Sequence, residues 1–292
     1  LTSSRYIVFC GVSFMAETTR ILAAPAQNVF LPSPQAGCPM ADMVTLDQLE
    51  VCWREINSRW KRGFIPVTYV NSSAEVKAFC GRNHGVVCTS ANAQRVLAWA
   101  LVQGKRVLFL PDQHLGRNTA LALGIKPAEI CLWERERGKL LGAGPHTKVV
   151  LWDGYCPVHV GFRLEHVERV RRKHPGARIA VHPECSAEVV QAADANGSTE
   201  QIIRTVENAP AGSTIAVGTE INLVKRLALR HQDKNVIPLL AENTACPDMA
   251  RTNLAALLTC LEGVSRGRGL LTLPDQTAAD ARLALERMLL LT

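Results

Sequence analysis

The 292-residue chain reads as an α/β protein built from three related αβα units with parallel sheets, the first of them incomplete. Three observations lead there. Short apolar runs rich in Val, Ile and Leu recur along the chain. They are apolar throughout rather than alternating, as strands covered on both faces should be. Helical patterns separate them, which is the signature of βα units. The order of elements also repeats.

Taken in order, YIVFC and NVFL flank the helical SFMAETTRIL. IPVTYV leads through SAEV to GVVC, then through ANAQRVLAWAL to RVLFL, with KVVLW as an added strand. ARIAV leads through a second SAEV helix to TIAV, then through INLVKRLAL to NVIPLL. Overlaying the copies sets VVCTSANAQRVLAWAL against IAVGTEINLVKRLAL. The N-terminal copy lacks the leading strand and helix. The expected domains are residues 1–37, completed by a C-terminal helix at 275–292, then 38–155, then 156–274. The run WERERGK, Trp133 to Lys139, alternates in sign and reads as a solvated loop.

Composition narrows the function. Apolar residues make up 47% and charged residues 20%, as in ordinary globular proteins. No apolar run reaches the ~18 residues of a membrane span, and the start LTSSRYIVFCGV lacks the pattern of a signal peptide. It also lacks an initiator Met, so the chain is expected to begin within a longer protein. Net charge is +7 with aromatics at 5%, not interleaved with a basic stripe. That argues against nucleic acid and for small anionic ligands. Ten cysteines without a secretory leader fit a reducing, cytoplasmic compartment.

The polar turns NSSAE, TSAN, PEC, GST and GTE fall where strands end or helices begin. Parallel sheets bind ligands at that edge, and free N–H groups at helix starts favour anions. The same Ser, Thr and Asn residues also serve as N-caps. No C-x-x-C occurs, so any metal must gather distant ligands. Cys10, Cys52, Cys80, Cys88, Cys131 and Cys260 fall in strand or helix patterns and read as buried apolar residues. Cys38, Cys156, Cys185 and Cys246 lie in loops or at element ends, and Pro follows three of them. One loop cysteine per unit would make a three-thiolate site. It suits an iron-sulfur cubane with one open iron, with zinc as the rival metal.

With GVSFMAET, QAGCPMADM, YVNSSAEVKA, CTSANA, PDQHLG, WDGYCPVH, HPEC with GST, VGTE, CPDM and ARLALERML in one register, the chain resembles the quinolinate synthase family. The resemblance implies three αβα domains around a pseudo-threefold axis. It also implies condensation of iminoaspartate with dihydroxyacetone phosphate to quinolinate, with loss of water and phosphate. It assigns a 4Fe-4S cluster to Cys38, Cys156 and Cys246 and leaves Cys185 outside the ligand set. Glu184, Tyr69 and His182 match catalytic positions, and Asn71, Ser90, His159, Ser198 and Thr199 match substrate-binding ones. An L-aspartate oxidase or dehydrogenase is implied as the source of the imine. The family's usual leading segment, which adds a histidine, a tyrosine and a serine to the pocket, has no counterpart here, so reduced turnover is expected. An aconitase-like hydro-lyase and a non-catalytic cluster- or anion-binding protein are the alternatives.

Overall fold

In a computed structural model, which describes residues 3–61, 63–104, 106–242 and 244–291, each strand expected from the sequence forms. The chain begins with β1 (Tyr6–Val8), α1 (Ser13–Leu22), β2 (Asn28–Phe30), the short α2 (Pro39–Asp42) and α3 (Leu46–Arg59). It continues through β3 (Phe64–Tyr69), α4 (Ala74–Arg82), β4 (Val86–Cys88), α5 (Ala93–Gln103), β5 (Arg106–Leu110) and α6 (Gln113–Ala122). Then come β6 (Ile130–Glu134), β7 (Lys139–Leu141), β8 (Val149–Trp152), α7 (Leu164–Lys173), β9 (Arg178–Val181), α8 (Ala187–Ala192) and β10 (Ala195–Asn196). The chain ends with α9 (Thr199–Glu207), β11 (Thr214–Gly218), α10 (Ile221–Arg230), β12 (Asn235–Pro238), α11 (Leu254–Gly263) and α12 (Asp275–Leu290).

These strands form three sheets: β1-β2, β4-β3-β5-β8-β6-β7 and β10-β9-β11-β12. Every pairing is parallel except β6 with β7. The third sheet shows the layering most plainly. Ile215 and Val217 of β11 join the apolar cluster formed by Ile202 and Val206 of α9 and Val224 and Leu227 of α10. Ala216, between them, joins the cluster of Val167 and Val170 from α7 and Val189 from α8. Alternate side chains along one strand thus bury against helices on opposite faces. The fold class is α/β with αβα layers, as expected.

Two details differ from the sequence reading. WERERGK is no simple loop: Trp133 to Lys139 closes the antiparallel hairpin of β6 and β7, and Trp133 is fully buried. The repeat also has another register. β4-β3-β5-β8 and β10-β9-β11-β12 share one strand order, so β4 corresponds to the two-residue β10 and β5 to β11. TSAN therefore lies opposite GST, and PDQHLG opposite VGTE. An apolar-run search misses a strand as short as β10, and that shifted the overlay by one βα step. The added element of the second unit is the β6–β7 hairpin, while β8 is the counterpart of β12.

The C-terminal α12 packs chiefly on α4 and β4, with α1 along one side. Arg282 donates to the carbonyls of Ile21 and Ala23, and Arg82 pairs with Asp280 at 3.0 Å. Residues 269–271 instead run beside β2, where Leu271 N–H donates to Val29 O at 2.8 Å. The α4–α12 contact is close enough to require Gly81, since a Cβ there would sit 1.8 Å from the Asp280 carbonyl oxygen. Gly81→Ala should therefore lower unfolding free energy by about 3 kcal/mol through overpacking. Urea denaturation checks this, and a loss below about 0.5 kcal/mol would refute the close packing.

Candidate functional site

The residues singled out from the sequence lie at the carboxyl ends of parallel strands, the edge that binds ligands in such sheets. Tyr69 ends β3, Ser90 follows β4, His182 follows β9, and Cys38, Cys156 and Cys246 follow β2, β8 and β12. Each of those three cysteines comes after the last strand of its sheet or of the shared four-strand order.

The cysteines share one local design. Each is followed by Pro and opens a turn closed by an i+4 N–H: Asp42 to Cys38 O at 3.2 Å, Val160 to Cys156 O at 3.1 Å, Ala250 to Cys246 O at 3.2 Å. Pro at the second position presets φ and has no N–H, so the next amides can turn back toward the sulfur. The N–H groups of Ala41 and Met40 do so at Cys38, and those of His159 and Val158 at Cys156. Burial, with help from the Glu184 charge, still pushes the Cys38 thiol up to about 11 and Cys156 higher. Both thiols are therefore neutral until a cation displaces the proton. Cys246 lies near enough to add to the rise of the Cys38 thiol. The Cys246 N–H also donates to Glu220 Oε1 at 3.3 Å.

Glu184 is the centre of the polar network. It is 2% exposed and sits in the turn after β9, which Asn118 of α6 grips by donating to Pro183 O and Cys185 O at 2.9 and 2.8 Å. Cys185 anchors the turn from behind, its side chain inside the apolar core of the third sheet. His159 Nδ1 lies 2.8 Å from Glu184 Oε2, although not aligned for a hydrogen bond. His159 Nε2 lies 3.1 Å from the Thr219 hydroxyl, which fixes the other edge of the ring. The Tyr69 phenol lies beside the Glu184 carboxylate and Ser90, close enough to interact with both. Burial opposes ionisation of Glu184, but the imidazoles and the Tyr69 phenol outweigh it and hold the carboxyl below its usual range.

The two histidines stack, with ring centroids 4.6 Å apart and planes 25° apart. Burial lowers His182 to about 4, and its Nδ1 accepts from the Glu184 N–H at 3.3 Å. His182 is thus a neutral ring with its Nε2 proton available as a donor. Burial and the adjacent Glu184 raise Tyr69 well above an ordinary phenol, so it remains an O–H donor.

Other expected residues join this network less directly. Asn71 is half-buried in the turn after Tyr69. The Ser198 hydroxyl caps α9 by accepting from Gln201 N–H, and Thr199 is exposed. The β10–β9 register sets both beside the end of the strand that leads to His182. Cys10, expected to be a buried apolar residue, follows β1 and is exposed. Four positioning residues were not foreseen: Asn118, Thr219, Glu220 and Asp112. Asp112 is fully buried and caps α6 through Leu115 N–H at 2.6 Å, while its Oδ2 has no hydrogen-bond partner among the described residues. Its sequence signal is an acidic N-cap directly after the strand RVLFL. Gly154 lets that corner close, because a Cβ would lie 2.4 Å from Pro111 O.

Ligand atoms of Cys156, His159 and Glu184 all lie within 4.8 Å of one another, close enough to share one metal ion. Among the described residues the sulfurs of Cys38, Cys156 and Cys246 do not converge so tightly. A cubane, whose thiolates bind different irons, needs them spread more widely. No helix among the described residues is long and apolar enough to cross a membrane.

The family model described as quinolinate synthetase A protein matches residues 1–290. The quinolinate synthase of Bacillus cytotoxicus is 48% identical across 98% of this chain and 79% of its own length. Those of Geobacillus thermodenitrificans and Bacillus subtilis are 48% and 47% identical, over 99% and 98% of this chain and 80% and 79% of theirs. The chain belongs to the quinolinate synthase family of enzymes.

Proposed function

We propose that the chain condenses iminoaspartate with dihydroxyacetone phosphate to quinolinate, releasing two waters and phosphate. The observation that carries the proposal is the thrice-repeated Cys-Pro turn facing the edge of the sheets where Glu184 is buried. Three soft thiols in matching turns, two of them ringed by amides, suit a 4Fe-4S cluster on Cys38, Cys156 and Cys246. When bound, such a cluster supplies an open iron as Lewis acid for a substrate carboxylate and its neighbouring oxygen or nitrogen. The shared strand order of the larger sheets fits three units around a pseudo-threefold axis.

The chain's own residues supply the proton chemistry. Glu184 begins ionised, so its carboxylate can take a proton from substrate carbon or nitrogen. Tyr69 holds a proton that can pass to a departing hydroxyl, and Ser90 stands behind it to support the phenol oxygen. His159 steadies the Glu184 carboxylate on its other side. The neutral His182 offers its Nε2 proton to a substrate oxygen. Ser198 and Thr199, with Asn71, bind carboxylate or phosphate oxygens at the start of α9 and in the β3 turn. The excess positive charge draws in both anions. We place this activity in the cytoplasm, fed by an enzyme that oxidises L-aspartate.

The Cys156–His159–Glu184 set favours a second reading, a single ion such as zinc. Anaerobic reconstitution separates the two. A cluster gives a brown protein with about four irons and four sulfides. The colour disappears in Cys38→Ala, Cys156→Ala and Cys246→Ala but not in Cys185→Ala. Metal retained by Cys38→Ala and Cys246→Ala but lost by His159→Ala would refute the cluster and support the single ion. In turnover of the two substrates, Glu184→Gln should lower kcat by about 100-fold or more with the cluster intact. A loss below about threefold would remove Glu184 from proton transfer.

A further inference from the structure

Two motif residues have no role in the chemistry above: Glu17 of GVSFMAET and Lys77 of YVNSSAEVKA. Lys77 is fully buried, although its position in the first turns of α4 would normally face water. Its ammonium donates to the Ser72 carbonyl and lies 5.7 Å from the centre of the Phe14 ring. Phe14 belongs to a small apolar cluster against which Cys38 and Val70 pack. The opposing charge is Glu17 of α1, whose carboxylate accepts the Ala74 N–H at 2.8 Å.

A buried ammonium is costly, and an apolar residue of the same length would fill the space without that penalty. The side chain is therefore better explained by what it holds. Ser72 closes the turn that carries Tyr69 and Asn71. Its hydroxyl donates to Tyr69 O at 2.8 Å, its N–H donates to Val70 O at 2.9 Å, and Thr68 Oγ1 donates to the Ser72 hydroxyl at 3.0 Å. Val70 N–H in turn donates to Cys88 O at 2.8 Å, which ties the turn to β4 near Ser90. Among the described residues the Lys77 ammonium is the α4 side-chain group that grips Ser72, and Glu17 holds the first turn of α4 from α1.

We infer that Lys77, neutralised by Glu17, is a positioning residue that fixes the Tyr69–Asn71 turn so that the Tyr69 phenol meets Glu184. The inference rests on the proposed proton-transfer roles of Tyr69 and Glu184. It makes α1 of the first unit part of the geometry of the Tyr69–Glu184 pair, whose own residues come from the second and third.

The test compares wild type, Lys77→Met, and the double variant Glu17→Gln with Lys77→Met, which leaves no buried charge unpaired. Native-state amide exchange is read alongside thermal melting. Exchange at Val70 and Ser72 should rise about tenfold or more in both variants, with α4 and β3 amides within about twofold of wild type. The double variant should recover melting temperature lost by the single one. In turnover, Lys77→Met should lower kcat about tenfold and leave KM nearly unchanged, and most of that loss should vanish in a Tyr69→Phe background. Unchanged exchange at the turn would overturn the inference, as would a uniform rise across α4 or additive losses with Tyr69→Phe. Wild type that makes no quinolinate while the local exchange pattern holds would instead refute the proposed function and leave the turn-holding role standing.

Discussion

An ionised carboxylate in a nearly dry corner is the constraint around which this structure is organised. Glu184 has almost no access to water, and burial alone would keep it protonated. Its charge is tolerated because polar groups reach it from elements far apart in sequence: a phenol ending β3 and imidazoles following β8 and β9. Remove the carboxylate's company and the second and third sheets lose their shared polar centre. The neighbouring thiols feel the same charge, which raises both Cys38 and Cys156.

The architecture explains how such distant groups meet. Parallel strands point their carboxyl ends the same way, so every βα corner delivers side chains to one edge. The recurring strand order makes equivalent corners carry equivalent jobs. Cys-Pro turns follow the closing strands, while Ser198 and Ser90 follow the paired short strands β10 and β4. The Asp112 carboxylate caps α6, and the backbone beside it bridges to Gly154 two residues before Cys156, so one corner sets both the helix start and the approach to the candidate ligand loop.

Much of this was legible in the sequence, for a physical reason. Runs such as VLFL and TIAV are apolar on both faces because both faces are covered, and that leaves a strong one-dimensional signal. Cys38, Cys156 and Cys246 stood out because Pro follows each and none lies in an apolar run. What escaped depended on pairing rather than pattern. The two-residue β10 has too few positions for any period, and its absence slid the repeat by one step. The hairpin at Trp133 hid behind alternating charges that face solvent on one side only. Asn118, Thr219 and Glu220 are ordinary polar helix or turn residues until the fold brings their partners within reach.

The ionisation state of Glu184 is open to direct measurement by infrared difference spectroscopy, comparing wild type with Glu184→Gln in the metal-free protein from pH 7 to pH 5. The account predicts a carboxylate stretch assignable to Glu184 at pH 7 that persists unchanged to pH 5, because its neighbours hold the acid below the usual range. A protonated carboxyl stretch already present at pH 7 would contradict it, showing that desolvation prevails and that Glu184 cannot begin the reaction as a base.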